Sequence, residues 1–414
     1  MAADLTIYND MLQEYYAGPT PQYLGYKDHP LLAMIPKKTN WGGQASKYII
    51  PLHVETPQAV ANDFSTALAN KGNGTYDRFE MGRKKKYGFA QLDRLALLAS
   101  AQNPKAFMKL YTAEVDGTIA QMRRDIAWGL YRNSHAKRGT VGSFSAGSSS
   151  TITLADRTEV VGFSVGMRIV FSDAGSAPGV AYTTGSAFVA FPITAINRST
   201  GVLTVTGNVT SSAALANGDH IHREGDIAAV GTFLGAEGLG DHIPQTAPSS
   251  GTFQGVDWTV DTDRLAGLRL DGSALTIEEA LIEAGMRLKE AGKSPSHIFM
   301  NPTKFGQLVK ELGSKVQHDK VKAPGAASVG FDAIKVYTPA GTLPVIPDAD
   351  CPYDQIWVLT MKTWTLASVG MLPQLADDDV RMLRSSTADE YEVRLAAYYN
   401  LGCSDPGANL RIDQ

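Results

Sequence analysis

The chain has 414 residues, more than a single hydrophobic core normally organises, so two or more domains are expected. Its 38 basic and 42 acidic residues give a formal net charge of −4, which excludes a basic chain that holds nucleic acid through bulk charge. Two cysteines without a CxxC pair exclude a disulfide framework and a thiolate zinc site, and 40 glycines with 19% charged residues favour strands and turns over a helical bundle.

The N-terminus has no basic region followed by an apolar stretch, and no run approaches 18 apolar residues. We therefore expect neither a secretory signal nor a membrane-spanning segment. Residues 1–40 hold apolar and aromatic residues interrupted by prolines, too few for a closed core. We expect an arm that lies on the rest of the chain or on a neighbouring subunit, or a helix docked on its own domain.

Two extended runs follow, SKYIIPLHVET and TYDRFEMGRKKKYGFAQLD, separated by a polar stretch that ends in Asn73-Gly74. Their β-branched and aromatic residues predict a long hairpin, which cannot bury itself and is expected to clamp another subunit. The second run contains four consecutive basic residues, Arg83, Lys84, Lys85 and Lys86. Such a run is either a solvated face or a specific contact for nucleic acid or an acidic partner, and these interpretations stay open.

The clearest helix begins at Pro104. Apolar residues recur at spacings of three and four from Phe107 to Leu130. This spacing predicts a helix that ends at about Tyr131 and is roughly 40 Å long, with one buried side.

Residues 139 to about 226 form short alternating runs separated by Gly, Asn and Ser turns. The pattern predicts a small all-β barrel or sandwich inserted in the chain, with a loop-rich boundary at residues 230–256. Helix and strand then alternate over residues 276–400: Thr276-x-x-Glu279 is a capping box, and a strand is predicted at His297–Met300. This order predicts an α+β arrangement.

Few residues in the sequence match a motif for ligand or metal binding. Gly292-Lys293-Ser294 is not a phosphate-binding loop, because residue 287 is Arg and a helix precedes it. His220 and His222 are candidate metal ligands on one strand face, with His242 further on, but a polar strand end explains them as well. The run Asp377, Asp378 and Asp379 fits a divalent cation, or an acidic loop that is solvated or pairs with basic residues of a neighbour.

Neither Cys351 nor Cys403 lies in a nucleophile motif, and G-x-S-x-G and G-x-G-x-x-G are both missing from the sequence. We therefore predict no catalytic, cofactor or metal site, and no conventional enzyme.

Three stretches are more specific than these motifs: HIFMNPTKFGQLVKEL (297–312), DQIWVLTMKTWTLASVGMLPQL (354–375) and DEYEVRLAAYYNLGCSDPGANLRI (389–412). With the order of parts, from apolar arm to closing strand, they resemble tailed-bacteriophage major capsid proteins of the Hong Kong 97-like fold over nearly the whole chain. TAINRSTGVLTVTG and NGDHIHREGD also resemble the insertion module of such coat proteins.

The resemblance implies an α+β, Hong Kong 97-like capsid fold with an inserted all-β domain. Its implied parts are an N-terminal arm (1–40), an extended loop or β-hairpin (41–94), a peripheral domain with a spine helix (95–138), an inserted β-barrel-like domain (139–250), an axial domain (251–385), and the return strand and C-terminus of the peripheral domain (386–414).

The implied function is that of a coat protein, which assembles into hexamers and pentamers of an icosahedral shell around double-stranded DNA. Assembly is expected in the host bacterial cytoplasm, without sequence-specific DNA binding or a membrane. Expected partners are other copies of the chain, a portal, and a separate scaffolding protein, because the arm before Trp41 is too short for a fused one. A decoration protein is a further candidate partner. The subunit-interface candidates are Trp41, Lys71, Arg83, Lys84, Lys85, Lys86, Asp377, Asp378, Asp379 and Arg381.

Two other functions stay open. A shell protein of an encapsulin-like cellular nanocompartment shares this fold, although the large β insertion favours a virus. A monomeric α+β ligand-binding or hydrolytic protein would need a deep polar pocket, and the sequence predicts no residues to line one.

Overall fold

The computed structural model describes residues 29–41, 47–94, 104–173, 183–184, 187–212, 215–229, 232–312, 318–321, 331–375, 383–384 and 389–414. The α-helices in these ranges are α1 (Pro30–Met34), α2 (Phe64–Ala69), α3 (Pro104–Tyr131), α4 (Leu239–His242), α5 (Thr262–Leu265), α6 (Ile277–Glu290) and α7 (Pro302–Leu312). Within them, no helix combines the length and apolar character needed to cross a membrane.

The strands of the same ranges, in chain order, are β1 (Lys37–Lys38), β2 (Lys47–Glu55), β3 (Thr75–Gly82), β4 (Lys84–Asp93), β5 (Gly139–Ser145), β6 (Ser149–Leu154), β7 (Arg168–Ser172), β8 (Thr183–Thr184), β9 (Ala187–Phe188), β10 (Phe191–Asn197), β11 (Val202–Thr206), β12 (His220–Arg223), β13 (Ile227–Ala229), β14 (Thr232–Phe233), β15 (Thr252–Phe253), β16 (Val256–Asp257), β17 (Leu268–Asp271), β18 (His297–Met300), β19 (His318–Val321), β20 (Phe331–Thr338), β21 (Gly341–Pro347), β22 (Gln355–Leu359), β23 (Trp364–Ser368), β24 (Gln374–Leu375), β25 (Leu383–Arg384), β26 (Glu390–Cys403) and β27 (Leu410–Asp413).

The first sheet is built on β26, a strand of 14 residues. β23, β24 and β25 pair with it, β1 adds to β23, and β4 pairs antiparallel along ten residues of β26. The long helix α3 packs against β4, and a Cβ at Gly88 would lie 2.6 Å from the sulfur of Met122. Glycine at residue 88 therefore leaves room for the Met122 side chain. The predicted helix and its end at Tyr131 are confirmed.

The inserted module is a closed barrel with the strand order β10-β11-β6-β5-β12-β7. Its inward side chains fill the interior completely enough that Ile152, Leu203 and Ile221 have no exposed surface. A small closed barrel has no free sheet edges, so it is stable on a core of this size. The predicted all-β insertion is confirmed.

The second sheet has seven strands in the order β17-β27-β22-β18-β21-β20-β19, and α6 and α7 pack on it. α6 begins at the predicted capping box: Glu279 N–H donates to Thr276 Oγ1 over 3.3 Å, and Thr276 N–H donates to Glu279 Oε2 over 3.0 Å. Helices on a mixed sheet give the α+β class that the sequence predicted.

Sheet membership differs from the predicted domain boundaries in three places. β4 belongs to the first sheet, so the projecting hairpin ends at Gly82 instead of residue 94. β23 and β24 also lie in the first sheet, although they precede residue 385, and β27 lies in the second sheet at the C-terminus. The reason is that hydrogen bonds between distant segments decide strand pairing, whereas the boundaries followed chain order.

The barrel is docked on the C-terminal half of α3. Arg124 donates to Ser164 Oγ over 2.9 Å and to the carbonyl oxygens of Val161 and Phe163. The ring of Trp128 lies against Gly162, where a Cβ would come within 2.6 Å of it. These contacts therefore fix the position of the barrel on α3.

Three carboxyl groups lie around the segment at the end of α3: Asp348 is buried, and Asp241 and Glu159 are partly buried. Asp348 Oδ2 accepts from Tyr131 Oη (2.7 Å), Asp241 Oδ2 accepts from Ser134 N–H (2.7 Å), and Glu159 Oε2 accepts from Thr140 N–H (3.1 Å). Burial raises the pKa of Asp348 to about 6, and that of Asp241 and of Glu159 to about 7, because water no longer stabilises their charged forms. These carboxyls bind protons more tightly in the folded chain than in the unfolded one.

The contribution of these three carboxyls to folded stability should therefore fall as pH rises from about 4 towards 7. Below the pKa of the unfolded chain these carboxyls are neutral in both states. Above it they ionise in the unfolded chain but keep their protons in the folded one. Each then lowers the free energy of unfolding by up to about 1.4 kcal/mol per pH unit. Asp241→Asn should flatten this dependence, measured as the midpoint of urea unfolding between pH 4.5 and 8. Asp263→Asn removes an exposed carboxylate as the control, and an unchanged slope in Asp241→Asn would contradict the assignment.

Candidate functional site

A hairpin projects from the first sheet. β2 and β3 pair antiparallel from the Lys47–Gly82 pair to the Glu55–Thr75 pair. Residues 56–74 connect them and contain α2, which Asp63 caps by accepting from Thr66 N–H over 3.0 Å. The Asn73-Gly74 dipeptide thus precedes β3 and does not form a two-residue turn.

The base of the hairpin is anchored in its own subunit. Trp41, Ile50, Phe79 and Met81 form a core cluster with Val256. Trp41 was predicted as an interface residue, yet its side chain is only 4% exposed and packs on this cluster. We therefore assign Trp41 to the anchor.

The far part of the hairpin exposes large apolar side chains. Val60 is 89% exposed, Phe64 81%, Leu68 51% and Tyr76 75%. We call these four residues the hairpin patch. Lys71 is exposed in the same connection. Exposed apolar side chains such as these gain free energy when another surface covers them.

The basic run lies at the start of β4. Side chains alternate along the strand, so Lys85, Tyr87 and Phe89 are exposed on one face, while Lys84 and Lys86 are partly buried on the other. Lys86 Nζ lies 3.3 Å from Asp125 Oδ2 of α3. Lys86 is thus engaged within its own subunit, and the predicted contact with a neighbour rests on Arg83, Lys84 and Lys85.

Asp125 is the centre of a buried ion cluster. Its carboxylate pairs with Lys86, with Arg138 Nη2 at 2.9 Å, and with Arg223 Nη1. Burial alone would raise the pKa of Asp125, but Arg138, Lys86 and Arg223 together hold it well below the usual range. Arg138 and Arg223 stand where the chain enters and leaves the barrel, so this one carboxylate joins α3, β4 and the barrel.

The sequence did not predict this cluster. Its one visible signal is an acid, Asp125, beside apolar Ile126 on the buried half of α3. The partners Lys86, Arg138 and Arg223 lie up to 98 residues away in the chain, and no local pattern joins them.

Of the histidines singled out earlier, His222 and His242 are buried inside the protein, and His220 is partly buried. His222 Nε2 is 2.9 Å from Ser172 Oγ, and burial lowers the pKa of His222 to about 4. His242 Nε2 bonds the Leu401 carbonyl oxygen (3.1 Å) between aromatic rings, and burial lowers its pKa to about 4 as well. These are properties of neutral core histidines. Asp377, Asp378, Asp379 and Arg381 lie outside the described residues.

Comparison with known proteins decides the family. Residues 98–381, more than half of the chain, match the family model described as the SU10 major capsid protein. The chain belongs to the SU10 major capsid protein family. It is a shell-forming capsid protein of the tailed-phage type. No curated protein sequence matches it.

Solved structures show the fold of this capsid protein. A chain of the cyanophage A-1(L) capsid superimposes with a TM-score of 0.52 over 97% of this chain and 98% of the other, at 12% sequence identity. The fold is Hong Kong 97-like. A capsid chain of an empty GTA particle (TM-score 0.47, 10% identity, covering 99% and 97%) and the holo-SrpI encapsulin of Synechococcus elongatus (0.44, 11%, covering 100% and 95%) are also similar, at lower scores.

The Asp125 cluster should be a large contributor to subunit stability. Asp125→Asn leaves Lys86, Arg138 and Arg223 close together without their common anion, and we expect a loss of about 3–5 kcal/mol in the free energy of unfolding. Urea unfolding followed by tryptophan fluorescence measures it. Asp116→Asn, an exposed change on the same helix, should stay within about 0.5 kcal/mol of the unsubstituted chain. Equal free energies of unfolding for the two variants would show that the cluster does not stabilise the subunit.

Proposed function

We propose that this capsid protein assembles into hexamers and pentamers of an icosahedral shell that encloses the double-stranded DNA of a tailed phage. The observation that supports this best is the hairpin patch. Each subunit completes its own cores, yet leaves four large apolar side chains uncovered at the end of a projection. Such a projection is stable when it lies on the next subunit.

The physics of a shell fits contacts of this kind. Contacts that join unlike surfaces close into rings when the rotation between subunits is a fraction of a full turn. Many modest contacts then act together, so each can be weak while the closed shell is stable. In this proposal the hairpin patch and Lys71 lie on a neighbour, and Arg83, Lys84 and Lys85 face an acidic surface of a neighbour.

The parts of the chain take the positions that capsid subunits of this type use. The first sheet with α3 is the peripheral domain, the second sheet with α6 and α7 is the axial domain near the centre of each ring, and the barrel is the insertion. Contacts of Asp377, Asp378, Asp379 and Arg381 with a neighbour belong to the same proposal.

Other partners follow from the role of a container. A separate scaffolding protein, a portal and a decoration protein are the proposed partners, and assembly is proposed in the host cytoplasm before the chain becomes part of the virion. The net charge of −4 supports a wall that does not grip its DNA tightly. The protein acts through binding surfaces and not as an enzyme.

Particle mass is the first test of this function. Full-length protein, expressed alone and with a co-expressed scaffolding protein, should give hexamers, pentamers or closed shells by light scattering and negative-stain microscopy. Nuclease-protected double-stranded DNA in particles purified from infected cells distinguishes a phage head from a protein-filled compartment. A monodisperse monomer under all conditions would refute shell formation.

The hairpin patch has its own test. Phe64→Ser removes an 81% exposed aromatic ring, which should cost about 2 kcal/mol at each contact that buries it and lower the assembled fraction at least several-fold. The melting temperature of the free subunit should change little, because only a small part of the Phe64 surface is covered within the subunit. Val165→Ser on the barrel (64% exposed) is the matched control and should assemble normally. Normal assembly of Phe64→Ser would exclude the patch from the interface.

A further inference from the structure

Strand β4 is an edge of the first sheet. Among the described residues it pairs with β26 alone, over the whole of Lys84–Asp93. In an antiparallel pair, alternate residues direct their N–H and C=O groups away from the partner strand. Where the groove described next borders it, from Lys84 to Phe89, β4 therefore presents backbone donors and acceptors on its other side, which are a template for a further strand.

A groove of about 1110 Å³ runs along this edge. Residues 83–89, residues of α3 between Glu114 and Arg132, and residues 223–226 and 234–236 line it. Alternate residues of a strand belong to opposite faces, and consecutive residues of β4 line the groove, so the groove reaches the edge of the strand. Its shape suits an extended segment.

The lining of the groove is basic and aromatic. Arg83, Lys84 and Lys85 line it beside the exposed rings of Tyr87 and Phe89. The acids there are already balanced by cations: Asp125 pairs with Lys86, Arg138 and Arg223, Asp226 lies 3.8 Å from Arg138, and Glu224 pairs with Arg168. Burial also raises the pKa of Glu114, which favours its neutral form. An acidic segment with aromatic residues complements this surface.

We propose that residues 1–28 of the same chain occupy this groove in the unassembled subunit, as a strand added to the edge of β4. This segment has four acids, Asp4, Asp10, Glu14 and Asp28, against one lysine, Lys27. Apolar and aromatic residues lie between the acids, in ADLTIYNDMLQEYY. Seven residues of β-strand span about 23 Å, and 28 residues can extend to about 95 Å, so the segment is long enough.

The start of the described chain supports binding within one chain. His29 Nδ1 bonds Asp350 Oδ2 over 2.6 Å. Arg132, which lines the groove, donates to the carbonyl oxygen of the same Asp350 over 2.8 Å. Residue 29 is thus fixed beside one end of the groove, and the segment before it starts there.

Such a contact would protect the subunit before assembly. A strand edge that lines an open groove and carries the exposed rings of Tyr87 and Phe89 pairs readily with the wrong partner. In the shell, the acidic surface of a neighbour proposed above would replace the segment at Arg83 and Lys85. The inference itself concerns the free subunit, so it is tested without assembly.

Hydrogen–deuterium exchange of full-length, unassembled subunits gives the first test. Deletion of residues 1–26 should speed exchange of the β4 amides at least about tenfold, and Arg83→Glu with Lys85→Glu should have a similar effect through charge repulsion. Lys289→Glu with Lys310→Glu makes the same charge change at exposed positions on α6 and α7 and should leave β4 unchanged. Unchanged β4 exchange after the deletion would overturn the proposal.

Photo-crosslinking identifies the occupant. With benzoylphenylalanine in place of Tyr8, the crosslinked peptide should contain residues of β4 or of the facing side of α3. In an equal mixture of ¹⁴N- and ¹⁵N-labelled subunits, crosslinks within one chain carry a single isotope. Mixed-isotope crosslinks, or crosslinks to other surfaces, would overturn binding within the chain. Because these outcomes are read on free subunits, they are distinct from failure of the shell proposal.

Discussion

A charged group buried among three opposite charges constrains the arrangement of this subunit more than any other interaction described above. The Asp125 carboxylate lies on α3 and faces Lys86 from the first sheet and Arg138 and Arg223 from the two ends of the barrel. Burying such a cluster is expensive in desolvation, so a similar volume of apolar side chains could stabilise the fold as well. The cluster instead requires helix, sheet edge and barrel to meet in one relative orientation.

Around that fixed junction, the subunit buries its core side chains completely and leaves a separate set of side chains exposed. The cores of both sheets and of the barrel are closed by their own side chains, and the hairpin is anchored by Trp41 and Met81. Four large apolar residues stay exposed on the far part of the hairpin, and Lys85 stays exposed beside Tyr87 and Phe89 on the edge strand β4. A building block needs this division, because its fold must be complete before its contacts are made.

Much of the fold could be predicted from the sequence, because its signals are local. The stripe from Phe107 to Leu130 predicted α3, the box at Thr276 predicted α6, and the alternation after Gly139 predicted the barrel. The residues of the candidate site were harder to predict from the sequence. Trp41 and Lys86 were expected at a subunit surface, and both contact their own chain, because partners such as Val256 and Asp125 come from distant segments. Strand pairing of β4 and β27 was missed for the same reason.

The ends of the barrel have a consequence for how this coat can change. Arg138 N–H donates to the Ile221 carbonyl oxygen over 2.8 Å, so the chain leaves the barrel where it entered. The 82 residues between those two positions form a cassette whose removal leaves two chain ends already side by side. A linker of a few residues could join the two chain ends. A foreign domain whose termini lie close together could be inserted at the same position. The coat can thus gain or exchange a whole module in one recombination event, while the lattice-forming body keeps its connectivity.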